Sequence, residues 1–130
     1  MTEASELFFD YLSEEGYRPR IDDDGDLIFK CEGTLYALCF DEDDENYLRL
    51  LCPNFWPFDD AAEKAKAVRT ANDVNTAVKV AKILCIGNNT TCTAELLFDD
   101  LADARPVFNR MKSVIGTAMN RFVSKMREDL

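Results

Sequence analysis

Histidine is absent from the sequence, and several other signs of a specific chemistry are missing with it. Without histidine the chain lacks the commonest general base near neutral pH, and every Ser-His or Cys-His nucleophile pair is excluded. No glycine-rich phosphate loop with a Walker-type lysine occurs either. The sequence therefore gives no positive sign of an enzyme, and we expect no catalytic residue.

Closely spaced cysteine pairs are also missing. The five cysteines form no CxxC motif and lie inside apolar runs; they are Cys31, Cys39, Cys52, Cys85 and Cys92. Unpaired cysteine packs as a small hydrophobic residue and is typical of a reducing compartment. Because zinc sites are built from thiolate pairs and imidazoles, we expect free buried thiols and no metal or cofactor.

Long hydrophobic runs are missing as well. No stretch approaches the roughly 18 uncharged apolar residues that a membrane-spanning helix needs. The N-terminal segment 1–6 is acidic, whereas a signal peptide would be basic there. The sequence therefore predicts a cytoplasmic protein without a membrane partner.

Basic residues are scarce in the first half of the chain. Residues 1–60 hold 17 acidic and 4 basic side chains, and residues 61–130 hold 8 acidic and 11 basic ones, for a net charge of −10. A nucleic-acid partner is not expected, because phosphate backbones are bound by clustered basic faces. With 47% apolar residues in 130, we expect one domain that spans residues 1–130.

What the chain does contain is an alternation of helix and strand patterns. Apolar residues three and four apart predict a helix over Thr2–Glu15, which Gly16 ends. Alternating segments bounded by turn residues predict six strands. They cover Tyr17–Asp22, Leu27–Glu32, Thr34–Phe40, Asn46–Cys52, Val78–Ile86 and Thr91–Phe98.

Two more helices complete the pattern. The capping-box spacing of Asp60 and Glu63 predicts a helix over Ala61–Ala71, which 72–75 interrupts. A 3.6-residue apolar period predicts a long C-terminal helix over 107–126, with Pro106 in its first turn. The order α-β-β-β-β-α-β-β-α predicts an α+β fold, with an antiparallel sheet of about five to six strands and the helices mainly on one face.

Two acidic segments are candidates either for cation sites or for exposed turns. The segment 20–25 is similar to a calcium loop, but Arg20 and Cys31 would occupy the first and twelfth ligand positions and supply no carboxylate. A hairpin turn is therefore favoured there. The run 41–45 is predicted to be a solvated loop between strands, with weak cation binding as the alternative.

Large aromatic residues cluster in the loop after the fourth strand. Phe55, Trp56 and Phe58 are candidate partner-binding residues, because such side chains often anchor interfaces. The alternative, which we favour, is that they pack the loop onto the second helix and the core.

Small residues form a stripe on the second helix. Ala61, Ala65 and Val68 would let another helix approach closely, either as a homodimer seam or as an intramolecular contact. The sequence leaves both open.

The element order and four short segments resemble the YbjN family, whose fold is similar to that of class I type III secretion chaperones. The segments are Asp23-Asp24-Gly25-Asp26-Leu27, Phe55-Trp56, Asn72-Asp73-Val74-Asn75 and Lys79-Val80-Ala81-Lys82. The resemblance implies a bacterial cytoplasmic adaptor or chaperone-like protein, commonly dimeric, that binds an extended segment of another protein. It implies no catalytic residues.

Three functions follow in order of preference. The first is a non-enzymatic, protein-binding, chaperone-like regulator, whose client would pair with a strand edge or lie in an apolar groove. The second is a small-ligand or divalent-cation sensor that uses its acidic hairpin loops. An enzyme ranks last.

Overall fold

Helices and antiparallel strands alternate in the order that the sequence predicts. The computed structural model describes residues 1–128, so the last two residues of the expected domain, 129 and 130, lie outside the described part. The bounds are α1 Glu3–Glu14, β1 Arg20–Ile21, β2 Leu27–Cys31, β3 Thr34–Asp41, β4 Asp44–Cys52, α2 Ala61–Ala77, β5 Ala81–Ile86, β6 Asn89–Leu97, a 3₁₀ helix Leu101–Val107 and α3 Phe108–Met126.

All six strands belong to one sheet with the order β1-β2-β3-β4-β6-β5. Every neighbouring pair of strands is antiparallel. Cys52 of β4 lies opposite Cys92 of β6, so the β5–β6 hairpin extends the sheet formed by β1 to β4. The α+β fold and its antiparallel sheet are as expected.

The helices cover one face of the sheet. Phe29 of β2 contacts Phe108 of α3, with ring centroids 5.9 Å apart, and Phe40 of β3 contacts Phe8 of α1 at 6.0 Å. Because side chains alternate along a strand, the residues next to Phe29 and Phe40 in their strands point to the opposite face of the sheet. The hydrophobic core therefore lies between the inner face of the sheet and the helices.

The second helix is longer than the sequence predicts. We expected residues 72–75 to interrupt it, but α2 continues to Ala77. Val74 is buried in the core, while Asn72 and Asp73 lie on the exposed side. A polar pair on the solvent side of an amphipathic helix does not end it, and the prediction was wrong for that reason.

The acidic run 41–45 is not a five-residue loop. Asp41 ends β3 and pairs directly with Asp44 of β4, so only Glu42 and Asp43 lie between the strands. The backbone N–H of Asp43 donates to the Asp41 carboxylate at 2.8 Å, which stabilises the tight turn.

Several other boundaries differ, including the start of β6 at Asn89, where the sequence predicts Thr91. The first strand is only Arg20–Ile21, and β5 begins at Ala81 because Val80 has a positive φ of 65°, which interrupts the extended backbone before it. Pro106 lies inside the 3₁₀ helix and not in the first turn of α3. Asp100 is the N-cap of that short helix, and its side chain accepts a hydrogen bond from the N–H of Ala102.

Candidate functional site

Four segments of the chain meet at one end of the sheet and form a cleft of about 750 Å³. They are the start of α1, the β1–β2 hairpin, the β3–β4 turn and the segment between β6 and the 3₁₀ helix. This volume lies within the range of about 300–1,000 Å³ that is common for ligand pockets. We call this site the acidic cleft.

Carboxylates dominate the lining of the acidic cleft. Nine of its 18 lining residues are acidic and, among the described residues, none is basic: Glu3, Asp24, Asp26, Asp41, Glu42, Asp44, Glu45, Asp99 and Asp100. Clefts lined by one sign of charge concentrate the field and attract ions of the opposite sign. The acidic cleft is therefore suited to a cation or to a positively charged segment of a larger molecule.

The floor of the acidic cleft is apolar. Leu7 of α1 and Phe40 of β3 line it and are half-buried, and Leu101 is buried. Apolar side chains beneath a charged rim can bury aliphatic groups of a ligand while the rim meets its charges. This combination fits an amphipathic ligand better than a bare ion.

Local hydrogen bonds hold several rim carboxylates in place. Asp41, Asp44 and Asp100 each accept a backbone N–H two residues further along the chain, at 2.8, 3.1 and 3.0 Å. Asp and Asn commonly stabilise turns in this way. The turns therefore account for the positions of these three residues, and Glu42 and Glu45 lie beside them with exposed side chains.

Two ionisable groups of the acidic cleft have shifted pKa values. Burial raises the pKa of Asp26, and the neighbouring charge of Asp22 raises it further. Burial raises the pKa of Tyr47 to about 12, with a further contribution from its hydrogen bond to Glu95. The two shifts favour the protonated form of both groups.

One group of carboxylates is close enough together to hold a cation. Single oxygens of Asp22, Asp24 and Asp26 lie within 4.8 Å of one another. One oxygen of Asp22 already accepts the backbone N–H groups of Asp24 and Asp26, at 3.0 and 2.9 Å. The β1–β2 turn therefore explains this cluster without a metal ion.

The predicted partner-binding residues lie at the opposite end of the sheet. Phe55 and Trp56 pack edge-on against Phe122 of α3, with centroids 5.6 and 6.2 Å apart, and Phe58 is also half-buried against the core. We call the contact of Phe55, Trp56 and Phe122 the aromatic end. The indole N–H of Trp56 is buried without an acceptor among the described residues.

The small-residue stripe faces solvent. Ala61, Ala65 and Val68 are exposed, and Val68 has 52% of its surface accessible. The inward side of α2 carries Ala67 and Ala71, so a different set of small residues makes the close intramolecular contact.

The outer edge of β5 is partly closed. The side-chain amide of Asn75 on α2 donates to the carbonyl of Ile83 at 3.0 Å, and its oxygen accepts the Ile83 N–H at 2.7 Å. A strand added to this edge would need these two backbone groups. Asn75 therefore blocks pairing at the centre of the edge.

Sequence reasoning did not find the acidic cleft, although it identified two of its parts. The sequence pattern indicates the β1–β2 turn and the run 41–45 as separate acidic segments, and it gives no sign that Glu3 and Asp99–Asp100 lie near them. The available signal was the acidic excess in residues 1–60, combined with the antiparallel order that brings alternate turns to one end of a sheet.

Comparisons with solved structures show the fold of the chain. A type III secretion chaperone of Yersinia pestis, SycH in complex with a stable fragment of YscM2, matches with 12% identity and a TM-score of 0.56, covering 93% of this chain and 98% of the other. The structure of the HopA1-SchA chaperone-effector complex matches with 14% identity and a TM-score of 0.62, covering 94% and 97%.

An uncharacterized protein from Methanothermobacter thermautotrophicus matches with a TM-score of 0.64 and 13% identity, over 95% of this chain and 96% of that one. No family model and no curated protein matches the chain. The fold is therefore similar to that of type III secretion chaperones, while the likeness to YbjN stays a resemblance. Among residues 1–128, none of the helices combines the length and apolar composition of a membrane span.

Proposed function

We propose that the chain is a non-enzymatic, chaperone-like module that binds a cationic, amphipathic segment of another protein in the acidic cleft. The single observation that carries this proposal is the lining of the acidic cleft, with nine carboxylates, no base among the described residues and an apolar floor. The fold of the chain is also found in structures described as a chaperone-effector complex and as a secretion chaperone with a bound fragment.

The charge pattern determines which client is expected. Opposite potentials on two surfaces speed their encounter and exclude partners of the wrong sign. Lysine or arginine side chains of a client would meet Glu42, Glu45 and their neighbours, while alternate apolar side chains would cover Leu7 and Phe40. An acidic or wholly polar segment would bind poorly.

The closed edge of β5 favours a client that lies in a groove over a client that adds a strand to the sheet. The two hydrogen bonds between Asn75 and Ile83 would have to break before a client strand could pair there. At the other edge of the sheet, β1 offers only two paired residues. A client that lies in the acidic cleft needs neither edge.

A synthetic peptide tests the proposal directly. We expect a short fluorescent peptide of alternating lysine and leucine to bind the full chain, as measured by fluorescence anisotropy, and its affinity to fall steeply with added salt. A peptide of alternating glutamate and leucine should not bind. One of alternating lysine and serine should bind more weakly, because it cannot cover the apolar floor.

Matched charge reversals locate the binding. Glu42→Lys with Glu45→Lys changes two exposed carboxylates of the acidic cleft that make no side-chain hydrogen bond among those described. We expect it to lower the affinity for the lysine–leucine peptide by about tenfold or more. Glu14→Lys with Asp73→Lys makes the same change in net charge on exposed helix positions elsewhere. Equal weakening by both pairs would contradict a localised site.

The same variants distinguish a client from background in a cell extract. A protein captured by the unchanged chain and by the Glu14/Asp73 control, but lost with the Glu42/Glu45 pair, would be a client of the acidic cleft. If every captured protein is retained by both variants, the function is not carried by this site.

Two further surfaces stay predictions. The exposed stripe of Ala61, Ala65 and Val68 is the proposed seam of a homodimer, and light scattering on Val68→Asp against the unchanged chain tests it. The loop with Phe55, Trp56 and Phe58 is the proposed second contact for a client. A bacterial cytoplasmic setting is part of the same proposal.

Cation sensing is the competing explanation for the acidic turns. Calcium that raises the melting temperature beyond the effect of matched ionic strength would favour it. Under the proposed function, calcium and sodium should act alike at equal ionic strength.

A further inference from the structure

The five free thiols of the chain lie in different environments. Burial is the main cause that raises the pKa of four of them, to about 12 for Cys39 and Cys92, and it raises the pKa of Cys52 and Cys85 as well. A thiol with a raised pKa holds little of the nucleophilic thiolate at neutral pH. These four cysteines are therefore expected to react slowly.

Cys31 differs because a cation contacts its sulfur. It ends β2 on the inner face of the sheet and is half-buried. The ammonium nitrogen of Lys112, on α3, lies 3.3 Å from the Cys31 sulfur and donates a hydrogen bond to it. A neighbouring lysine is one of the features that favour a reactive thiolate.

The structure holds the Lys112 ammonium in position. It also donates to the hydroxyl of Tyr17, and it lies 4.9 Å from the centroid of the Tyr17 ring. Burial alone would lower the pKa of Lys112, but its hydrogen bonds to Tyr17 and Cys31 outweigh burial and raise it. Lys112 therefore stays protonated and acts as a fixed charge beside the sulfur.

We propose that Cys31, paired with Lys112, is the oxidant-sensitive thiol of this chain and is converted by hydroperoxides to a sulfenic acid. The Cys31 thiolate attacks one oxygen of the peroxide, and the oxygen–oxygen bond breaks. The sulfur loses two electrons to the peroxide, and the departing hydroxide or alkoxide takes up a proton from solvent. Lys112 keeps its proton throughout and stabilises the thiolate before the attack.

Mapping of sulfenic acids tests this proposal on the full chain. After brief exposure to hydrogen peroxide, dimedone traps sulfenic acids and peptide mass spectrometry locates them. We expect Cys31 to be labelled several-fold faster than any other cysteine. Cys85 is the matched comparison, because it is also half-buried and, although Lys64 acts on it at a distance, no cation among the described residues donates a hydrogen bond to its sulfur. Equal rates at Cys31 and Cys85 would overturn the proposal.

Substitutions on α3 test the role of the cation. Lys112→Gln should slow labelling of Cys31 several-fold, and Lys112→Arg should retain most of it because the charge is kept. Arg110→Gln removes an exposed positive charge from the same helix and should leave the rate unchanged. Melting temperatures of all three variants show whether each is folded. A folded Lys112→Gln variant with an unchanged Cys31 rate would contradict the activation by Lys112.

Discussion

The two ends of the sheet differ in the side chains that surround their loops. At the aromatic end, contacts join residues far apart in sequence: Phe55 and Trp56 pack on Phe122, and the N–H of Phe58 donates to the carbonyl of Asn88 at 2.8 Å. At the acidic cleft, the side-chain hydrogen bonds of the rim aspartates are local and the nine carboxylates repel one another.

This difference supports the proposal that the acidic cleft is the main binding site, with the aromatic loop as a second contact. Buried aromatic contacts stabilise the folded chain, whereas like charges around one cleft destabilise it. A repulsive cluster that costs stability is expected where a ligand of opposite charge neutralises it. The comparison is therefore an argument for function at the acidic cleft, and the following substitutions test it.

The largest expected effect is at the aromatic end. Phe122 is fully buried and contacts both Phe55 and Trp56. Phe122→Ala should lower the free energy of unfolding by about 3–5 kcal/mol, because it removes a buried ring and leaves a cavity. Urea unfolding measures the loss.

Phe40→Ala makes the same chemical change in the floor of the acidic cleft, where Phe40 is half-buried. We expect it to cost about 1–2 kcal/mol, since less apolar surface returns to water. A larger loss for Phe40 than for Phe122 would reverse the assignment of the two ends.

A smaller effect is expected at the closed edge of β5. Asn75→Ala removes both hydrogen bonds to Ile83 and leaves its backbone groups without their partner. The free energy of unfolding should fall by about 1–3 kcal/mol.

Asn72→Ala is the matched control, because Asn72 lies on the exposed side of the same helix. Its effect should stay within about 0.5 kcal/mol. If both variants unfold at the same urea concentration, the Asn75 bridge does not stabilise the edge.

Asn75 also shows where sequence reasoning reached its limit. The helix start at Asp60 and the helix end at Gly16 could be predicted, because a cap depends on residues within one turn. Asn75 was interpreted as a helix breaker, since its partner is an edge-strand backbone eight residues away. A local pattern does not reveal a side chain that is satisfied by tertiary structure.

The acidic cleft was missed for a related reason. Glu3, Asp24, Glu42 and Asp99 are widely separated along the chain and meet only because strand order and register bring their turns to one end. Composition predicted an acidic first half, and periodicity predicted the sheet. Neither pattern predicts which turns lie at the same end of the sheet, so the acidic cleft could be identified only from the three-dimensional structure.

The smallest expected effect concerns Asp26, one of the carboxylates that line the acidic cleft. The pKa of Asp26 is raised above its ordinary value of 3.8, first by burial and then by the charge of Asp22. A carboxyl group with a raised pKa binds its proton more tightly in the folded chain, so its ionisation costs stability as the pH rises through the folded pKa. Asp26→Asn should therefore raise the melting temperature at neutral pH. The corresponding gain in the free energy of unfolding should be less than about 1 kcal/mol, because the group is partly exposed.

The gain from Asp26→Asn should shrink as the pH falls toward 3.8, where the unchanged carboxyl is itself protonated in the folded state. Asp23→Asn is the control, because Asp23 is exposed in the same turn and makes no side-chain hydrogen bond among those described. Thermal unfolding at neutral pH and near pH 4 measures both variants. A loss of stability for Asp26→Asn at neutral pH would mean that the contact of Asp26 with the Cys39 thiol outweighs the repulsion. A gain confined to neutral pH would mean that the ionised carboxylate of Asp26 destabilises the fold, first through its burial and then through the charge of Asp22.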